Sequence, residues 1–253
     1  MRSNVKPPSR EERFVSRHRF VLLFGILLGF YMLVPVLQQL REELLSEGPA
    51  VVEGVLFLAV ILGTIVSVSK GRAWIPFALL LGLPAAVLWV VGVVVESEEV
   101  ALIRQLVLIA FLGPAIWVML RAIFDSRQVT FNTVCASLCV YLLLGLVWAL
   151  AYSVVDALDP AAFACTSAAG HHRLRLWVGR GDSTVLYFSF TTLTTLGYGD
   201  IVPTSPISRM LTSVEAIAGQ LYLAVLVARL VGMHIVYSMD PGRARGQQPE
   251  VRA

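Results

Sequence analysis

Charge is what this chain has least of. Asp, Glu, Lys and Arg make up 15% of its 253 residues, against about 25% in an ordinary soluble domain. Hydrophobic residues make up 57%, and that surplus calls for a solvent other than water. Cysteine is scarce too, with three in the whole chain. Cys135 and Cys139 stand one helical turn apart in an apolar run, where they pack as small hydrophobes. Cys165 stands alone in a polar loop, so no intramolecular disulfide framework is expected. Also absent are zinc-type ligand spacings, a nucleophilic triad, a Gly-rich phosphate loop and a basic nucleic-acid surface. These absences predict no enzyme activity, no cofactor and no nucleic-acid partner.

Long apolar runs take the place of these features. They extend over Phe20 to Leu40, Ala50 to Val68, Ala73 to Val95, Val100 to Leu120, Val129 to Val155 and Ile207 to Val231. Each is close to the roughly 20 residues that cross a hydrocarbon core. Backbone groups in lipid must be satisfied internally, so each run is predicted to be a transmembrane helix. Pro35, Pro76, Pro84 and Pro114 are expected to bend their spans. The first run exceeds a signal peptide's apolar core, lacks an obvious small-residue cleavage site, and reads as a retained span.

The connecting segments sort by charge. Arg10, Arg13, Arg17 and Arg19 precede the first span, Lys70 and Arg72 follow the second, Arg121 and Arg127 follow the fourth, and Arg243 and Arg245 follow the sixth. The alternate loops carry Glu42, Glu43 and Glu47, then Glu96, Glu98 and Glu99. Positive loops stay in the cytoplasm, which predicts cytoplasmic termini and an even number of spans. Asp156 to Pro206 then lies outside.

The second half of that outer segment is rich in Thr and aromatics. Asp182 and Ser183 offer N-cap oxygens, and Thr184 to Thr195 suits a short helix that enters the membrane without crossing it. Leu196-Gly197-Tyr198-Gly199-Asp200 then reads as non-helical backbone, tolerated at membrane depth only where it is buried in protein or lines water. Gly197 and Gly199 permit positive backbone dihedrals, so successive carbonyls can turn toward one axis. Four copies around that axis would stack rings of carbonyl oxygens able to replace an ion's hydration shell. Thr195 can add its hydroxyl at the inner end. Leu196 and Tyr198 would point away and brace the loop against the preceding helix. That helix's C-terminal end presents negative partial charge, which favours a cation.

Thr194-Thr195-Leu196-Gly197-Tyr198-Gly199-Asp200 closely resembles the Thr-Val-Gly-Tyr-Gly-Asp signature of potassium channels. Leu186-Tyr187-Phe188-Ser189-Phe190 resembles that family's aromatic-rich pore helix, and Gly219 occupies the usual hinge position of its inner helix. The resemblance runs from the fifth span to the end of the sixth. It implies a selectivity filter at Thr195, Leu196, Gly197, Tyr198 and Gly199, with K+ at the carbonyls of Thr195, Leu196, Gly197 and Tyr198. Leu196 replaces the more usual Val. Tyr198 is retained where nonselective relatives often carry Asp. Thr191 stands where some channels place a Glu that bonds to the filter Asp, so Asp200 needs another partner or water.

Voltage-gated relatives carry a cation at every third position of the fourth span, each gaining about 2.3 kcal/mol per 100 mV on crossing the field. Here Gln105 to Leu120 carries no charge between Arg104 and Arg121, and Glu53 lies near an outer end, so voltage sensing of that kind is not expected. The tail after Met239 is too short for a regulatory domain, which leaves the pore, the lipid, membrane tension or a separate protein to set the gate.

Glu215, in the sixth span one turn before Gly219, is an intramembrane carboxylate and so a functional candidate. It is expected to support the filter by bonding to Thr191 or Thr192 of the pore helix; the alternatives are the ion cavity or hydration near the outer surface. Thr191, Thr194 and Asp200 complete the expected support. Gly219 is either a gating hinge or a close-packing position, Gln220 an inter-helix hydrogen bonder, and Arg229 a snorkelling cation. The outer-loop pair His171 and His172 could sense pH or bind a metal, or simply be solvated; His18 and His234 call for no role.

The predicted fold is an all-α membrane protein with six transmembrane helices per subunit and a re-entrant pore helix and filter loop between the fifth and sixth. Residues 1–19 form a cytoplasmic segment, 20–124 a peripheral four-helix bundle, 125–239 the pore domain and 240–253 a cytoplasmic tail. One pore loop per chain implies a homotetramer in contact with membrane lipids. The expected function is passive, potassium-selective permeation in a plasma membrane of bacterial type. A less selective monovalent cation channel, or a potassium transporter subunit or nonconducting scaffold, are the alternatives.

Overall fold

The computed structural model describes residues 10–44, 48–68, 75–94, 97–126, 130–165 and 183–238. Seven helices stand among them: α1 (Arg10–Leu44), α2 (Gly48–Val68), α3 (Ile75–Val94), α4 (Glu98–Phe124), α5 (Phe131–Leu158), α6 (Thr184–Leu193) and α7 (Pro206–Ser238). Apart from the short α6, each lies on one of the apolar runs, with α1 and α7 extending beyond theirs into polar sequence. Four of them contain stretches long and apolar enough to cross a membrane: Arg19–Leu37, Glu99–Phe124, Phe131–Leu158 and Pro206–Gly232. Helices α2 and α3 have 21 and 20 residues.

Local chemistry sets several helix starts. Ser97 accepts a hydrogen bond from the Val100 N–H at 3.1 Å, and Thr130 accepts from Thr133 at 3.3 Å. At α7 the capping is reciprocal: the Ser208 N–H donates to Ser205 Oγ at 3.2 Å, and the Ser205 N–H donates to Ser208 Oγ at 3.1 Å. Pro206 fills the first helical position, where a missing N–H costs nothing.

Pro35, Pro84 and Pro114 lie inside α1, α3 and α4, whereas Pro76 is the second residue of α3. In a first turn it has no preceding carbonyl to displace, so it has no means of bending that helix. The fifth span also runs past its predicted end, so Asp156 is a buried helical residue rather than the start of a loop.

Helix α5 is the hub. It packs against α1, α4, α6 and α7, while α2 and α3 lean on α1 and α4. The core follows it from Cys135 and Cys139 through Leu143, Leu146 and Leu150 to Tyr152. The chain is not purely helical: β1 (Phe163–Cys165) pairs antiparallel with β2 (Ile201–Pro203), Ala164 opposite Val202. This two-stranded sheet is absent from the sequence expectation, because three-residue strands are too short to show an alternating pattern. It fastens the segment after α5 to the segment after the loop at residues 194–200. The Thr204 N–H and the Ser208 hydroxyl both donate to the Ala162 carbonyl, at 2.9 and 2.7 Å.

The expectations for His171, His172, Asp182, Lys70, Arg72, Glu47, Glu96, Arg127, Arg243 and Arg245 fall outside the described residues, as do those for the side chains of Arg10, Arg13, Arg17, His18, Glu42, Glu43, Glu53, Glu98 and His234.

Candidate filter loop and its supports

The loop leaves α6 at Leu193, two residues before the predicted helix end, and residues 194–200 are exposed within the chain. Among the described residues, positive φ occurs at Thr195 (59°), Gly197 (54°) and Gly199 (79°), and at no other non-glycine. Left-handed residues therefore alternate with Leu196 and Tyr198, which are not left-handed. In an extended strand successive carbonyls point to opposite sides; alternating handedness turns them back toward one side. The glycines adopt this at little steric cost, but Thr195 is β-branched and carries about 1–3 kcal/mol of strain. The glycine spacing signals two of these three positions. The strained Thr195 has no sequence signal of its own.

Three bonds hold that strained turn. The Thr195 N–H donates to the Thr192 carbonyl at 2.9 Å and the Gly197 N–H to the Thr191 carbonyl at 3.0 Å, using carbonyls that a helix end leaves unpaired. Gln220 Nε2 donates to Thr195 Oγ1 at 3.2 Å. Gln220 thus bonds to the inner end of the loop rather than to another helix, because Gly219 brings α7 close there. A Cβ at Gly219 would lie 2.2 Å from the Leu193 carbonyl oxygen. Thr191 and Thr194 direct their hydroxyls to their own helix, at Phe188 and Phe190.

At the outer end, Asp200 finds the partner that Thr191 cannot supply. The Tyr187 hydroxyl donates to Asp200 Oδ2 at 2.8 Å, and the Tyr187 ring stacks on Tyr198 with centroids 6.3 Å apart and planes 9° apart. Tyr198 thus rests on the short helix, as expected. Leu196 does not: it is 55% exposed within the chain, since the turn at Gly197 carries it away from α6.

Glu215 is fully buried against the back of α6. Ser189 Oγ lies 2.6 Å from Glu215 Oε1 and the Tyr152 hydroxyl donates to Oε2. The partners are therefore Ser189 and Tyr152 rather than Thr191 or Thr192, because Thr191 points its hydroxyl back along its own helix. Ser189 also reaches the Gly145 carbonyl at 2.8 Å. Helix α6 can approach α5 this closely because Gly145 has no side chain; a Cβ there would meet the Phe190 ring at 2.6 Å. One carboxylate thus joins α5, α6 and α7. Ser189, a lone small polar residue between aromatics, was readable as a candidate, but Tyr152 and Gly145 carry no local signal.

Arg229 also differs from its expectation. Rather than extending to headgroups, its Nη2 donates to the carbonyls of Ser126 and Phe124 at 2.7 and 3.3 Å. These lie at the end of α4, where unpaired carbonyls and the negative end of the helix dipole favour a cation. Arg104, in the second turn of α4, is 2% exposed and so buried within the chain.

A search of curated proteins finds no match to the chain. A family model described as "Ion channel" matches residues 136–234, less than half of the chain but the part that contains most of α5, all of α6, the filter loop and all but the last turn of α7. With its apolar helices, the chain is a multi-pass membrane protein bearing an ion channel domain. The match places residues 136–234 as the ion channel part of the chain.

Proposed function

We propose that four copies of this chain assemble around the loop at Thr195 to Gly199 to form a potassium-selective pore that is not steeply voltage-gated. The observation that carries this is the alternation of left-handed Thr195, Gly197 and Gly199 with Leu196 and Tyr198. It suits a backbone whose carbonyls line one axis and replace an ion's water shell. K+ would bind at the carbonyls of Thr195, Leu196, Gly197 and Tyr198. Tyr187 and Asp200 hold the outer end; Gln220 and the carbonyls of Thr191 and Thr192 hold the inner end; Glu215 fixes the short helix behind it. Gly219 serves close packing of α7 on α6, and a hinge there would have to break the contact with Leu193.

Assembly is supported by the outer surface of α7. Ile207, Met210, Val214, Ile217 and Leu221 recur at three- and four-residue spacing, and each is at least 45% exposed within the chain. Such a seam suits packing against another helix. In this arrangement α1 to α5 and α7 make six spans and α6 is re-entrant. Residues 20–124 form a peripheral bundle and residues 125–239 a pore domain, with both termini in the cytoplasm of a bacterial-type plasma membrane. No cofactor beyond permeant K+ is needed.

The test is reconstitution of the full chain in liposomes, with K+ flux and reversal potentials measured in mixed sodium and potassium solutions at several voltages. A reversal potential that follows potassium, with flux abolished by Gly197→Asp and Gly199→Asp, is the expected result. A near-zero shift on exchanging the two ions would indicate a less selective channel, and currents that survive both substitutions would remove this loop as the filter.

A further inference from the structure

Behind the loop lies a cavity of about 710 Å³ walled by α1, α5 and α6, within the range of roughly 300–1,000 Å³ that holds a small ligand. Its lining is graded. Leu28, Met32, Leu142 and Phe190 make an apolar body, while Ser183, Thr184 and Asp200 stand at the end where α6 begins. Tyr31 closes the body: its ring meets Phe190 edge-on at 4.8 Å and its hydroxyl donates to the Leu142 carbonyl at 2.7 Å. Tyr187 lines the same cavity, so whatever occupies it touches the ring that holds Tyr198 and Asp200.

Two observations identify the occupant. Leu28 and Met32, on the α1 wall, are 44% and 63% exposed. Both lie on a helix long and apolar enough to cross a membrane, so hydrocarbon is the medium they face. Among the described residues Asp200 is the one charged side chain in the lining, and it stands at the polar end. An apolar body with a single anion at its mouth complements an amphiphile with a cationic head.

We infer that this cavity holds one acyl chain of a phospholipid whose ammonium headgroup lies at Asp200. The inference rests on the membrane channel reading above, but its test does not depend on conduction. An ammonium brings three N–H donors to the carboxylate, whereas an anionic headgroup of the same chain length would meet it with like charge.

The test uses the full chain reconstituted in vesicles of equal parts dioleoyl phosphatidylethanolamine and dioleoyl phosphatidylglycerol. The protein is then extracted in mild detergent, and bound lipid per subunit is counted by native mass spectrometry. The expected result is retention of phosphatidylethanolamine over phosphatidylglycerol by roughly fivefold, the ratio about 1 kcal/mol supplies. Leu28→Trp and Met32→Trp, which fill the apolar body, should each remove the retained lipid while leaving the assembled mass unchanged. Asp200→Asn should retain lipid with the headgroup preference lost. Equal retention of the two lipids by the unaltered chain, or none, would overturn the inference; so would full retention in both Trp variants. A protein that retains the lipid but passes no ions would instead count against the proposed function alone.

Discussion

Helices α5 and α7 are nearly matched in length and both are apolar, yet 56% of the α5 span and 11% of the α7 span are buried within the chain. Helix α5 is surrounded by α1, α4, α6 and α7, and its apolar side chains form a core as any buried helix would. Helix α7 has two unlike faces. Ser208, Thr212, Glu215 and Gly219 are turned inward, small or polar, and engaged at short distance. Ile207, Met210, Val214, Ile217 and Leu221 are large, apolar and uncovered. Hydropathy alone cannot tell these helices apart, because lipid and protein are equally apolar surroundings. What separates them is that the inward face of α7 is built from specific contacts, and its outward face is left uncovered within the chain.

The sharpest way to break that contrast is Gly219→Val. The new Cβ would sit 2.2 Å from a backbone oxygen that cannot swing aside, so α7 must separate from α6. Overpacking of this kind costs about 1–3 kcal/mol or more, and loss of both K+ flux and assembly on size-exclusion chromatography is expected. Near-normal flux would mean that the α6–α7 contact does not support the filter.

Next is Glu215→Leu set against Glu215→Gln. Leucine strands the Tyr152 hydroxyl in a buried site, at about 1–3 kcal/mol, and leaves Ser189 only the Gly145 carbonyl. Glutamine keeps an acceptor and should recover most of that stability. Thermal unfolding in detergent reads the difference; equal losses for the two variants would show that burial, not hydrogen bonding, joins the three helices.

The smallest expected effect is Tyr187→Phe. It removes the bond to Asp200 but keeps the ring stacked on Tyr198. About 1 kcal/mol is at stake at this exposed position, visible as a several-fold faster decline of K+ flux at unchanged unfolding temperature. A large drop in unfolding temperature would show instead that the bond supports the whole fold.

The sequence alone settled where the helices lie and where the backbone must turn. An apolar run in lipid has one way to satisfy its backbone, and Gly197 and Gly199 mark turns by their missing side chains, so both are local properties. The resemblance also implied that Asp200 needs a partner other than the Glu that some channels place at position 191. Tertiary packing decided the rest. That Tyr187 answers Asp200, that Glu215 meets Tyr152 from 63 residues away, that Gly145 admits Phe190, and that Arg229 closes the end of α4 all depend on which faces meet when α5, α6 and α7 come together. The turn at Thr195 belongs with these, since a threonine holds a left-handed conformation only where surrounding bonds outweigh its strain. Those bonds come partly from α7, a helix that no local pattern could place beside it.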